Sequence, residues 1–223
     1  MANALPVLSL LETRVLGVLV EKERTVPDSY PLTLNALVGG CNQKSSRHPV
    51  INAADEEVQA TLDHLKTLSL VMETSGGRVM RYAHNVGRVL AIPPQSVALL
   101  AILFLRGAQT PGELRINSER LHKFGDLLSV QAFLEELAER PAGGLVKELP
   151  RQPGARENRW MHRLSGEPAD EPVAGGAEES ANDAIGASEI ATLRAEIAEL
   201  RQQVASLTEG VERIRKELGL PAE

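Results

Sequence analysis

Apolar positions along the first 165 residues fall into two matching series. In the first, residues 8–23 carry apolar side chains at helical spacing, 25–27 is a short extended piece, and 32–43 reads as a second helix entered after Pro31. Residues 55–69 form a third helix with Val58, Leu62, Leu65 and Leu68 on one face. Two strands follow, 71–74 and 79–83, joined by the turn sequence Ser75-Gly76-Gly77-Arg78. The second series repeats the order. It has a helix over 96–105, an extended piece at 109–111, and a helix starting near Gly112 and running through Leu114. A helix over 129–140 turns Val130, Phe133, Leu134 and Leu137 inward, and 145–149 with 158–164 makes a hairpin. Helix, strand, helix, helix, strand, strand is the order of a winged helix–turn–helix. The predicted fold is therefore mainly α with small β-hairpins (α+β). It comprises one winged-helix domain over 1–88 and a second over 89–165, held rigidly by a short joint containing Pro93-Pro94.

The pattern stops at 166–187, which holds six acids, four Gly, two Pro and no Lys or Arg. Such a segment buries nothing, and the expectation is a disordered acidic linker. A different period then starts. Ile190, Leu193, Ile197, Leu200, Val204, Leu207, Val211, Ile214 and Leu218 are spaced three and four residues apart in alternation. That is a heptad seam, and it predicts a coiled-coil helix over 188–219. β-Branched residues at one seam position and Leu at the other favour two parallel strands, so the expected state is a homodimer. Glu189 and Glu196 flank the seam on one side and Arg194 and Arg201 on the other, placed to pair between chains. A lone helix packed back on its own body is the alternative reading of the same seam.

Composition narrows the function classes. The chain has 223 residues and only 3% aromatics, which argues against an all-β sandwich. Cys41 is the sole cysteine, so neither a disulfide framework nor a cysteine-based zinc finger is available. The longest apolar run, 97–105, is about half of a membrane span. The amino-terminal stretch carries Glu12 and Arg14 and no basic leader, so a cytoplasmic protein without a membrane partner is expected. The net charge of −6 conceals an asymmetry: residues 1–165 hold 19 Lys and Arg against 17 Asp and Glu, whereas 166–223 hold 5 against 13. The body is near neutral, and a nucleic-acid partner for it is not excluded.

No catalytic constellation stands out, and no cofactor or metal site is expected. The five histidines share no helix face at metal-pair spacing. Cys41 with His48 could form a nucleophile and base, but a small residue ending a helix beside Gly39-Gly40 is the simpler account. In the second hairpin Trp160, His162 and Leu164 alternate to one side, which makes His162 a satisfied packing residue. The expectation is a non-enzyme.

Winged helices suggest DNA, yet the third helices present acids. Asp55, Glu56, Glu57 and Asp63 mark the first, and Glu135, Glu136 and Glu139 the second. Such faces are repelled by phosphates. Positive charge lies on the hairpins: Arg151, Arg156, Arg159 and Arg163 on the second, Arg78 and Arg81 on the first. Basic wings can contact the DNA backbone or minor groove. The string Asn42, Gln43, Lys44, Ser45, Ser46 and Arg47 is a further polar surface candidate for an anionic or carbonyl-rich partner. Its alternative is a loop tied down by its own side chains.

Longer strings carry a resemblance. They are Thr25-Val26-Pro27-Asp28-Ser29-Tyr30-Pro31-Leu32, Cys41-Asn42-Gln43-Lys44-Ser45-Ser46-Arg47-His48-Pro49-Val50, Leu105-Arg106-Gly107-Ala108-Gln109-Thr110-Pro111-Gly112-Glu113-Leu114-Arg115 and Pro153-Gly154-Ala155-Arg156-Glu157-Asn158-Arg159-Trp160-Met161-His162. Over 10–165 the chain resembles the bacterial YceH family, with Trp160 standing where that pattern has Tyr. The resemblance implies a tandem winged-helix fold and no assigned activity. The architecture is also similar to bacterial condensin subunits that grip a partner protein with paired winged helices, an analogy of fold alone. Two functions are expected of such a dimer: DNA-associated regulation led by the basic wings, or protein–protein adaptation by the acidic third helices.

Overall fold

Two apolar helices form the centre of the fold. The computed structural model describes residues 7–75, 79–152 and 154–167. Helix α1, Leu10–Thr25, buries every residue from Glu12 to Val20, and helix α5, Pro94–Arg106, buries every residue from Ser96 to Leu105. A helix apolar on all sides needs neighbours on all sides. These two pack on each other, and Gly17 lies where they approach: a Cβ there would come within 2.8 Å of Leu105 Cγ.

Each central helix carries its own three-part shell. Against α1 lie α2, Leu34–Cys41, and α3, Asp55–Thr67, followed by strands β1, Val71–Ser75, and β2, Met80–His84. Against α5 lie α6, Pro111–Asn117, and α7, Leu127–Ala138, followed by β3, Val146–Glu148, and β4, Trp160–His162. Both hairpins are antiparallel, with Val71 opposite His84 and Val146 opposite His162. Each takes a third, single-residue bridge from the segment before the second helix of its half. Leu32 exchanges two hydrogen bonds with Tyr82 (3.0 and 2.8 Å), and Gln109 two with Trp160 (3.1 and 2.7 Å). The backbone N–H of Leu8 donates to the carbonyl of Leu164 at 2.6 Å, joining the two ends of the described body.

Local chemistry sets the helix starts. Ser9 and Glu12 make a reciprocal capping box on α1, and Thr110 and Glu113 another on α6. Thr33 caps α2, Asp126 caps α7, and the Glu57 carboxylate accepts from the Ala54 N–H at the start of α3.

The order of elements matches the expectation in both halves, and three details differ. Residues 25–27 are not extended: α1 runs to Thr25, and Pro27–Ser29 makes a single 3-10 turn, Pro27 pre-setting its first position. The extended piece is instead Leu32, drawn out of the predicted second helix by its pairing with Tyr82. The joint contains a short helix, α4, Val86–Val89, whose Val86 and the following Leu90 are buried. The acidic linker beyond Glu167, the heptad seam at 190–218, the Gly76-Gly77 turn and Arg78 lie outside the described residues. Among the described residues no helix is long and apolar enough to cross a membrane.

Candidate functional site

The second hairpin and α7 flank an open polar groove of about 750 Å³. Its floor is Trp160, buried by the alternation of β4, with Pro111 and Ala138 beside it. Its walls carry Glu135 from α7 and Glu139 just after it, Glu148 from β3, and Glu157, Arg151 and Arg156 from the loop between the strands. That loop is built rather than loose. The Leu149 N–H donates to the Arg159 carbonyl at 2.7 Å, extending the ladder, and Ala155 N–H to the Gln152 carbonyl at 3.0 Å. Gly154 takes φ +85° at the turn, and the Asn158 amide donates to Glu148 at 3.0 Å.

The basic residues expected on the hairpins divide. Arg151 and Arg156 are exposed, with no partner among the described residues, and both reach the groove. Arg159 is half-buried and engaged, and Arg163 pairs with Glu167. Arg81 folds back on the chain, donating to the Pro31 carbonyl at 2.8 Å, so it braces the first hairpin instead of facing outward. The acidic faces lie where the sequence puts them: Asp55, Glu56 and Glu57 on α3, and Glu135 and Glu136 on α7 with Glu139 at its C-terminal cap, are exposed. A phosphate approaching the outer face of α7 meets carboxylates and is repelled.

The polar string after α2 is mostly not a surface. Arg47 is buried, its guanidinium donating to both oxygens of Glu21 (3.1 and 2.7 Å), to Gln43 Oε1 (2.8 Å) and to the Gly40 and Ser46 carbonyls. Burial opposes ionisation of Glu21, yet Arg47 and Lys22 together hold its carboxyl below the usual range. Asn42 exchanges two hydrogen bonds with the Ala53 backbone (2.9 and 2.8 Å), closing the loop. Of the predicted residues Lys44, Ser45 and Ser46 remain exposed, and the Ser46 hydroxyl is taken by Arg106. Sequence reasoning also passed over Arg14, fully buried in α1 and donating to the carbonyls of Cys41 (3.2 Å) and Pro49 (2.7 Å). The available signal was an arginine inside an apolar run, where no helix face is left for solvent.

Two candidate chemical groups are packing residues. Burial pushes the Cys41 thiol up to about 12, so it stays protonated, and His48 is exposed. His162 packs edge-on against Phe104, with centroids 5.0 Å apart, and burial pushes its imidazole down to about 4. It is less satisfied than expected, because its Nδ1 has no partner among the described residues. Among the same residues no group of three His, Cys, Asp or Glu could hold a metal ion.

Comparison with known proteins agrees with the sequence resemblance. Residues 8–155 match the family described as "Protein of unknown function, DUF480". The chain is 58% identical over 195 residues to a UPF0502 protein of Dechloromonas aromatica (strain RCB), covering 87% of this chain and 90% of that one. It is 55% identical over 221 residues to a UPF0502 protein of Burkholderia ambifaria (strain MC40-6), covering 99% and 93%. A UPF0502 protein of Burkholderia multivorans is also 55% identical over 221 residues.

Proposed function

The chain belongs to the DUF480 (UPF0502) family, and from that premise we propose that it is a non-enzymatic, dimeric tandem winged-helix adaptor that docks a partner protein in the groove between α7 and the second hairpin. The observation that carries this reading is the groove itself. Four carboxylates and two guanidiniums surround an indole floor, which suits a protein segment with a basic residue and an apolar anchor. The winged-helix reading of each half is supported by three helices, a hairpin, and the bridge from the segment before the second helix. The dimer is supported by the heptad seam at 190–218. The non-enzymatic reading is supported by the buried, protonated Cys41.

The test is affinity purification of the full chain from lysate, with and without nuclease, beside the variant Glu135→Lys/Glu139→Lys. Both residues are exposed, so reversal leaves the fold intact. A partner held by the wild type through nuclease treatment and lost by the variant supports docking in the groove. Capture that vanishes with nuclease, or survives the reversal unchanged, overturns it.

One observation favours the second reading, DNA contact: Arg151 and Arg156 are exposed and uncommitted among the described residues. Two arginines per protomer give four phosphates per dimer, and a slope of log K against log salt near about −4. Arg151→Ala/Arg156→Ala would flatten that slope and weaken all duplexes alike, as read by fluorescence anisotropy on a mixed-sequence duplex. No binding at low salt sinks this reading.

A further inference from the structure

A second polar pocket, about 300 Å³, lies between the two halves of the described body, on the exits of α1, α5 and α6. Val26, Ile102, Leu105 and Leu121 make its apolar part. Lys22, Arg106 and Arg120 supply positive charge, and Glu21 is the single carboxylate among the lining residues. Glu21 has nothing left to give: Arg47, behind it, takes both its oxygens, and Lys22 Nζ lies 3.0 Å from one of them.

Arg106 is the key group. Its Nη2 donates to Ser46 Oγ at 2.7 Å, leaving its other N–H groups uncommitted among the described residues. Burial, then the like charge of Arg47, make its cationic form costlier than in water, and Glu21 only partly relieves this. Ser46 is held at φ +59°, a left-handed backbone uncommon for a residue with a side chain, and in that conformation its hydroxyl meets Arg106. Arg120 is exposed and has no partner among the described residues.

Cations commonly gather at helix exits to offset the carbonyls there. Here several of those carbonyls already have other donors. Val26 N–H takes that of Lys22 and Thr25 Oγ1 that of Glu21. His48 N–H takes that of Leu105, Gly107 N–H that of Leu103, and Ser118 N–H that of Leu114. Neither Arg106 nor Arg120 donates to a helix-end carbonyl among the described residues. We propose that this pocket binds a small phosphate monoester, with Arg106, Arg120 and Lys22 on the phosphate and the apolar part against its organic body. Planar guanidiniums match phosphate oxygens in pairs, and the volume suits a small molecule. The site is independent of the α7 groove, and its failure would leave the adaptor reading untouched.

The probes are phenyl phosphate and inorganic phosphate, titrated into the full chain at constant ionic strength and followed by amide NMR shifts. Saturable shifts at Ser45, Ser46 and Gly107 are expected, with phenyl phosphate the tighter of the two because it fills the apolar part. Arg120→Gln, an exposed change that cannot unfold the body, should weaken binding by about tenfold, and Arg106→Gln by more. Arg151→Ala/Arg156→Ala should change nothing. Absence of saturation at about 20 mM, an affinity unmoved by Arg120→Gln, or shifts confined to residues 151–159 would each overturn the proposal.

Discussion

An imidazole that must stay neutral makes stability depend on pH. His162 packs against Phe104 with its Nδ1 unpartnered, and burial holds it down to about 4. An unfolded histidine titrates near about 6.5, so below that pH the unfolded chain takes up a proton that the folded chain refuses. The contribution is complete above about pH 6.5 and is lost as pH falls towards about 4. At pH 5 the loss from this one group is about 2 kcal/mol. Urea unfolding at pH 7.5 and pH 5 should show that drop, and His162→Leu should reduce it. His84, also held down by burial, moves stability in the same direction, while Glu23 at 3.2 Å opposes it. A remaining slope in the variant therefore belongs to His84 and the carboxylates. An identical slope in wild type and variant would mean the imidazole is hydrated.

Helix α2 ends in two adjacent glycines with opposite requirements. A Cβ at Gly39 meets nothing within 4 Å, whereas a Cβ at Gly40 would lie 2.5 Å from Val18 Cγ1 on the central helix. Gly39→Ala should therefore stabilise by up to about 1 kcal/mol, through helix propensity alone. Gly40→Ala should destabilise by about 1–3 kcal/mol, because α2 must lift off α1. Thermal melts of the two variants check the pair, and equal effects would mean that α2 packs loosely. The same contrast marks what could be read from the chain. Helix α3 and the second hairpin were legible because each has one buried face, and a single face writes its own period; the first hairpin, which buries only Val71 and Tyr82, was legible from its turn sequence. Leu32 was not, because its conformation is set by a partner fifty residues away, Tyr82. Helix α4 is one turn long, too short to show any period. At the candidate site the acidic outer face of α7 was legible from spacing alone. The state of the arginines was not: Arg47 and Arg81 have the same formal charge as Arg151 and Arg156, and only tertiary carbonyls and carboxylates decide which are consumed.

The body over 7–167 closes on itself, with Leu8 bonded to Leu164, and carries a buried core of its own. A chain ending at Glu167 should therefore be a folded monomer and the full chain a dimer, with Val204→Asp weakening the latter. Light scattering on the three proteins distinguishes this from an interface within the body, which would keep the shortened chain dimeric. Removing the seam should also cost avidity towards any partner that two protomers grip together. The pairing of α1 with α5 has a consequence before the chain is complete. Gly17 finds Leu105 nearly ninety positions later, so α1 leaves the ribosome with one flank bare. At about 5–20 residues per second, that flank waits on the order of ten seconds for its cover. During synthesis that bare flank should attract a holdase at the exit tunnel. A stalled chain truncated before α5 should be captured there far more strongly than one stalled after it.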